Sequence, residues 1–599
     1  MGSIDMDAFD YIVVGGGTAG LVVASRLSED AHHSVLILEA GEDRLTDPRI
    51  NIPGMAGVAQ RTPELAYRFQ TVPQKHLNDR QITEPQGRLL GGSSGINNQA
   101  FIAPDALGID AWEDLGNKGW NWDTLKPYFR KVFTRTGPGK EIEDGLAIGY
   151  VNGVEKKADA NSGLLQVSWT GRLEPENPLS KAWVDTFRNI GWANSADPFE
   201  GKTYGGYANP SSVEWNTKTR SYSRSTYLRH AEDRLNLQTQ TGATVARIVF
   251  AQAGGVLTAK EVVYIVDGKE KTARVRKEVI LAAGALQTPK VLELSGVGDP
   301  DILGKHGIET VIANKYVGAR LQTRLMTGIS FEVRDGIETL DDLVRKKPEV
   351  VQKATDQYAQ GKGLLTVGGL ASYSSMPYAA TEVAGQPLLD PLIEKVPTSP
   401  DSQRIFDVIH KLIHTPQLGT GAFWISPIQW PIRGQIVPGS YVTLGTNQCY
   451  AFSRGTVHIA TSDSLVDPVV DPHYLEHELD IEVLARQVFW LQSLAQQSPL
   501  KDCLKPDGRR NHETALMQDL EDAKEYVRES ATTEYHPCGT CAMLPQELGG
   551  VVDTHLRVYG TQNVRVVDSS MMPLITSSNL QPTVYAVAER AADLIRGRV

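Results

Sequence analysis

Residues Asp10–Gly41, DYIVVGGGTAGLVVASRLSEDAHHSVLILEAG, constrain the fold more than any other stretch of the chain. Tyr11–Val14 is a short, β-branched apolar run without polar alternation, the pattern of a strand buried on both faces. It breaks at Gly15-Gly16-Gly17-Thr18-Ala19-Gly20, and an apolar, Ala-containing helix pattern follows through Leu27. Ser34–Leu38 reads as a second buried strand, closed by Glu39. Strand, glycine turn, helix and strand with a terminal acid form a dinucleotide-binding unit, and each position has a physical task. Gly15 permits the tight turn, Gly17 lets the backbone approach a pyrophosphate, and Gly20 lets helix and strand pack closely. Thr18 and Ala19 open the helix, whose unpaired N–H groups suit phosphates, and Glu39 can accept hydrogen bonds from a ribose diol.

Composition narrows the partners. A chain of 599 residues has length for two or more domains, and its net charge of −11 argues against nucleic acid and anionic membranes. No apolar run approaches the roughly 20 residues needed to cross a bilayer. The opening MGSIDMDAF leads directly into the first strand, with no room for a signal peptide. Four cysteines do not make a disulfide framework in a chain of this length. The expectation is a soluble cytoplasmic protein.

Further along, Gly87–Asn97 (GRLLGGSSGIN) places two adjacent glycines and two serines among apolar residues, either a backbone nest for an anion or flat ring, or a flexible linker. Asp110–Arg130 reads as two helical pieces broken at Gly116 and Gly119, and Thr136–Gly163 as an exposed loop. Leu237–Phe250 alternates in strand fashion, Lys277–Gly284 is another buried strand, and Thr288-Pro289 starts a short helix. Glu338–Gln360 and Leu475–Gln497 are expected helices, and Met376–Ser402 a Pro-rich surface insertion. Phe423–Ile428 and Gly455–Ala460 look like strands of a different, partly exposed sheet. Val564–Val567 returns to buried-strand character, and Val584–Ile595 is a closing helix. The pattern implies an α/β protein in which pieces from the start, middle and end build one doubly wound domain, with a second mixed domain interleaved.

Thr532–Met543, TTEYHPCGTCAM, is the richest segment chemically. Pro537 biases His536 to an extended backbone, and an imidazole suits general-base work near neutral pH. Cys538 and Cys541 form a CxxC, which beside a flavin would suit a dithiol enzyme but lacks the second pair of a zinc site; no metal is expected. Asn579 stands just before the closing helix, where its amide can meet a substrate oxygen or cap the turn.

Four motifs, in order and spanning nearly the whole chain, carry a resemblance: Gly15–Gly20 with Glu39; Gly87–Asn97 continuing to Pro104; Gly284-Ala285 through Thr288-Pro289 to Gly298; and His536-Pro537 with Gly539-Thr540, followed by Val566-Val567-Asp568. The chain resembles the glucose–methanol–choline (GMC) oxidoreductases, FAD enzymes of alcohol oxidation. The resemblance implies a Rossmann-like FAD-binding domain (1–165, 225–315 and 536–599) interleaved with a substrate domain containing an antiparallel sheet (166–224 and 316–535). It makes His536 the catalytic base and Asn579 its active-site companion. It assigns Gly15, Gly17, Thr18, Ala19, Gly20, Glu39, Ala40, Arg88, Gly92, Asp568 and Gln581 to the cofactor. Asn97, Asn98, Gln99 and Ala100 fall beside the flavin ring, and Val245 at the position whose backbone holds the adenine. Ile96 stands where some members bind FAD covalently through His, so the flavin is expected to be non-covalent. The reaction implied is hydride transfer from a small-molecule alcohol to flavin N5, with O2 or another acceptor reoxidising the flavin. Some members instead run redox-neutral lyase or cyclase reactions, and a dithiol oxidoreductase using Cys538 and Cys541 is a further alternative. One departure stands out. Members commonly read Asn-Leu-x-Asp-His after the third motif; here the residues are Arg320-Leu321-Gln322-Thr323-Arg324, with Arg324 expected to be a solvated surface arginine.

Overall fold

The apolar run Tyr11–Val14 lies inside a longer strand, Ala8–Val14, in a seven-stranded sheet. Val35–Leu38 flanks it in parallel on one side and the end of Lys269–Leu281 in parallel on the other. With both edges paired, and Ile12 and Val13 fully buried, the strand has no solvent side, which is why its sequence does not alternate. The helix Thr18–Leu27 packs against the closing helix, and Arg26 of the first donates to the buried carboxylate of Glu589 in the last at 2.8 Å. The computed structural model describes residues 7–137, 163–169, 177–194, 197–253, 256–369, 372–382, 389, 400–430 and 436–599. Residues 138–162 of the expected loop, and 383–388 and 390–399 of the Pro-rich segment, lie outside the described residues.

The seven-stranded sheet collects its strands from distant parts of the chain, as the sequence pattern implied. Leu237–Gln240 adds in parallel beyond Val35–Leu38. On the other side Lys269–Leu281, Val256–Val266 and Thr244–Ala253 form an antiparallel meander. Lys269–Leu281 is 13 residues long and serves two neighbours on that edge: Val256–Val266 along its first half, and Val564–Val566, in parallel, at its end. The single strand expected over Leu237–Phe250 is corrected to two. Gly242, at φ 63°, breaks it, and the halves stand at opposite edges of the sheet.

A second, six-stranded sheet is antiparallel throughout, in the order Thr532–Thr533, Leu325–Glu332, Tyr441–Gln448, Gly421–Ser426, Ser372–Met376, Gly205–Tyr207. Gly421–Ser426 is wholly buried rather than partly exposed, because Phe423 and Ile425 pack with Ala485, Val488 and Leu491 of the helix Glu478–Leu494, while Trp424 on the opposite face joins the main core. Thr456–His458 is not in this sheet; it pairs with Val469–Asp471 in a separate ribbon. The helix expected over Glu338–Gln360 is two, Asp341–Val344 and Pro348–Ala359, separated where Lys346 takes φ 57° and Pro348 opens the second. The closing helix starts at Leu580, ahead of its apolar stripe, with Pro582 in its first turn.

Candidate active site

At the end of Ala8–Val14 the chain turns at Gly15, φ 103°, where a Cβ would stand 2.5 Å from the Ala282 carbonyl oxygen. A Cβ on Gly20 would meet the Gly15 carbonyl oxygen even closer, so helix and turn pack only as glycines. Gly17 caps the helix with no side-chain hydrogen bond, and Gly17, Thr18 and Ala19 of this helix start line the cavity. Gly92, at φ 51°, approaches from the second motif; its Cβ would fall 2.7 Å from Gly17 Cα. Two glycine backbones thus meet in close contact at the edge of a slot that both line. Glu39 is buried beside it, and its carboxylate accepts from the Gly16 and Gly41 amides, each at 2.8 Å. Burial pushes its carboxyl up to about 7 against those two hydrogen bonds.

The slot opens into a cavity of about 570 Å³ lined by nearly every residue the sequence nominated: Gly15, Gly17, Thr18, Ala19, Glu39, Ala40, Arg88, Gly92, Asn97, Asn98, Gln99, Ala100, Val245, His536, Asp568, Asn579 and Gln581. Gly20 does not line it, since that residue serves the packing behind the turn. Asp568 is committed largely to structure. It accepts from the Gly284 amide at 2.9 Å, the Thr288 hydroxyl at 2.5 Å and the Ser570 amide at 2.8 Å, tying the last strand to the third motif. Asn97 donates to Gln581 at 2.8 Å and accepts from Arg220 at 2.7 Å, locking the second-motif loop to the closing helix. Ile96 is buried in a small apolar cluster with Leu89 and Tyr222.

At the other end of the cavity the side chains are set by distant segments. Asn579 is the N-cap residue of the closing helix, its side chain makes no capping hydrogen bond, and it lines the cavity. His536 reaches the cavity from the segment that turns at Tyr535, φ 66°, its side chain 12% exposed. Arg324 corrects the sequence expectation outright. It is 0% exposed rather than solvated, and its Nη2 donates to His536 Nδ1 at 3.0 Å. The same guanidinium donates to the carbonyls of Thr576 at 3.1 Å and Ser578 at 2.7 Å, and its Nε lies 2.8 Å from Glu534 Oε2. Those carbonyls belong to the turn before Asn579, so one arginine orders both candidate catalytic residues. Burial holds the His536 imidazole below its usual range, with Glu534 opposing and Arg324 reinforcing that shift.

Cys538 and Cys541 are free, fully buried thiols, absent from the cavity lining; burial pushes Cys538 up to about 12. A thiol that stays protonated and away from the cavity has no dithiol chemistry to offer there. Residues missed by the sequence reading include Glu534, Tyr535, Tyr67 and Lys290, all cavity-lining. Glu534 left no usable signal: Tyr535, between it and His536, takes φ 66°, so the period-two rule of a strand does not relate their side chains. Lys290 left none. Its Nζ donates to the Ser464 carbonyl at 2.7 Å, a contact made only by tertiary folding.

Comparison with known proteins agrees with this geometry. Family models described as GMC oxidoreductase match residues 9–326 and 451–588. The chain is 32% identical over 610 residues to the GMC oxidoreductase family protein Mala s 12 of Malassezia sympodialis, covering 99% of this chain and 93% of that protein. It is 33% identical over 621 residues to the dehydrogenase mpl7 of Monascus purpureus, covering 98% and 96%. Among solved structures, an FAD-dependent oxidoreductase from Chaetomium thermophilum superimposes with a TM-score of 0.85 at 26% identity, over 98% of this chain and 99% of that one.

Proposed function

The chain belongs to the GMC oxidoreductase family, and from that premise we propose that it oxidises the CH–OH group of a small-molecule alcohol, with His536 as the proton acceptor. Membership implies FAD, a small-molecule substrate and an electron acceptor. Among the described residues no helix is long and apolar enough to cross a membrane.

The residues present fit the cofactor. The uncapped helix N-terminus at Gly17 and the facing Gly92 backbone suit a pyrophosphate, and Glu39 keeps acceptor capacity for a ribose beyond its two amide bonds. Thr18, Ala19, Ala40, Arg88, Val245, Asp568 and Gln581 would complete its walls, with Asn97–Ala100 beside the ring. The buried Ile96 side chain has no nucleophile, so FAD is held without a covalent bond; acid precipitation should release the yellow chromophore into the supernatant. The flanking division is 1–165, 225–315 and 536–599 for the FAD-binding part and 166–224 with 316–535 for the substrate part.

When bound, FAD supplies the hydride acceptor and passes the electrons on to O2 or another acceptor. The protein handles the proton and the oxygen. An alcohol carbon releases hydride readily only as its O–H proton departs. His536 takes that proton, and the Asn579 amide orients the oxygen and stabilises its developing negative charge. The observation that carries the reading is the pairing of His536 and Asn579 on one cavity with the dinucleotide slot, Asn579 leaving its amide out of its own helix cap. The test is anaerobic mixing of the holoenzyme with a panel of primary, secondary and aromatic alcohols, with formate as a donor lacking an alcohol carbon. An alcohol should bleach the flavin absorbance. Bleaching by formate alone would overturn the reading.

A further inference from the structure

The surroundings of His536 hold two groups with opposite demands on one atom. A guanidinium has only donors, so the 3.0 Å contact from Arg324 Nη2 requires an unprotonated Nδ1 and puts the proton of the neutral ring on Nε2. An ionised carboxylate has only acceptors. Glu534 Oε2 lies 3.3 Å from the same Nδ1 and can receive a proton carried there. That oxygen is buried without a hydrogen bond of its own, since the Arg324 Nε contact at 2.8 Å is a charge contact out of hydrogen-bond alignment. The backbone fixes both competitors: the Glu534 amide donates to the Arg324 carbonyl at 2.8 Å, extending the antiparallel pairing of Leu325 with Thr533.

We propose that Arg324 and Glu534 are positioning residues that compete for Nδ1 of His536 and so decide whether the other ring nitrogen, Nε2, donates or accepts a proton. The inference rests on the reading of His536 as the proton acceptor. With Nδ1 on Arg324, Nε2 carries hydrogen and can only donate to a substrate oxygen. With Nδ1–H turned to Glu534, Nε2 has its lone pair free. The substrate O–H bond then breaks, an Nε2–H bond forms, and the oxygen keeps the electron pair that becomes the carbonyl π bond as hydride leaves carbon for FAD. The imidazolium so formed is balanced by Glu534 and opposed by Arg324. Among the described residues, the groups acting on Arg324 besides Glu534 are Tyr373 of the six-stranded sheet, Cys449 just beyond its strand Tyr441–Gln448, and Cys538 after His536, all pushed up by burial, the two thiols to about 12. Tyr535, next to His536, is pushed up to about 12 as well. Asn579, across the cavity, has no charge.

The experiment uses FAD-loaded protein with 15N-labelled histidine, the His536 signals being assigned by their loss in His536→Gln. In the oxidised wild type the proton should sit on Nε2. Arg324→Gln should shift it to Nδ1 and raise the titration midpoint; Glu534→Gln should keep it on Nε2 and lower the midpoint. An adjacent charge moves a pKa by about 1–3 units, so each change is roughly tenfold or more in proton affinity. The double variant should return between the two. Arg324→Gln leaves a buried carboxylate unbalanced; if it yields no holoenzyme, Glu534→Gln measured against the double variant tests the same competition. Midpoints moving in the same direction in both single variants, or a wild-type proton on Nδ1, overturn the proposal. A residue that merely supports the fold would lower FAD occupancy without moving the midpoints in opposite directions. Stopped-flow flavin reduction separates this inference from its premise. Opposite NMR shifts with a reduction profile that ignores them leave the positioning intact and remove the base role. A reduction profile owned by His536 without opposite shifts does the reverse.

Discussion

The two ends of the cavity are built by different means. At the dinucleotide end the working groups are backbone amides and the absence of side chains, supplied within Gly15–Glu39 and by one approaching glycine, Gly92. At the other end they are side chains from separate segments, Arg324 meeting His536 from 212 residues earlier in the chain, with Glu534 and Asn579 beside them. A site made of backbone tolerates little variation in sequence, because any Cβ at Gly15 or Gly20 collides with a carbonyl oxygen. A site made of side chains can be retuned by one substitution, because Arg324, Glu534 and His536 act on one another through single side-chain contacts. Binding and chemistry should therefore fail separately.

The largest expected effect tests that separation at the chemical end. His536→Ala should fold, retain FAD with an ordinary flavin spectrum, and lose about 10²–10⁴-fold in limiting anaerobic reduction rate, roughly 3–5 kcal/mol of barrier. In the wild type the rate should rise with pH through a midpoint below that of an ordinary imidazole, because the neutral imidazole is the active form and burial lowers its proton affinity. That dependence should vanish in the variant; a rate within a few-fold of wild type would falsify the base role. At the binding end, Glu39→Leu should weaken FAD retention by roughly ten- to a hundredfold, about 1.5–3 kcal/mol, while the flavin that remains bound reduces at the normal limiting rate. Equilibrium dialysis and stopped flow on one preparation give both numbers, and a slowed limiting rate would mean that the two ends are coupled. The smallest effect belongs to Asn579→Ala. It removes one hydrogen bond to the reacting oxygen and leaves the proton acceptor, so the reduction rate should fall roughly tenfold, about 1.5 kcal/mol, with the pH midpoint unmoved. A midpoint shift would show that Asn579 also governs the histidine.

Legibility followed the range of the interactions. The strand–turn–helix–strand unit was readable because each element is decided by near neighbours in sequence, and the absence of alternation in Tyr11–Val14 correctly reported burial on both faces. Gly242 was harder to read. Gln238–Thr241 before it and Ala243–Phe250 after it carry no proline to mark a break, and only the pairing of the two flanks with opposite edges shows two strands. Gly421–Ser426 misled because burial of a sheet face depends on the helix laid over it, which strand pattern does not encode.

By itself the sequence determined the dinucleotide slot, the interleaving of early, middle and late strands in one sheet, and the candidacy of His536 and Asn579. Those follow from backbone sterics and local periodicity, which act over a few residues. Only the tertiary structure decided what surrounds the imidazole. A lone arginine after a loop reads as solvated, because a cation is stable in water and costly to bury. Arg324 is buried because two carbonyls, a carboxylate and a ring nitrogen from other segments converge on its guanidinium, and no window of sequence contains them together.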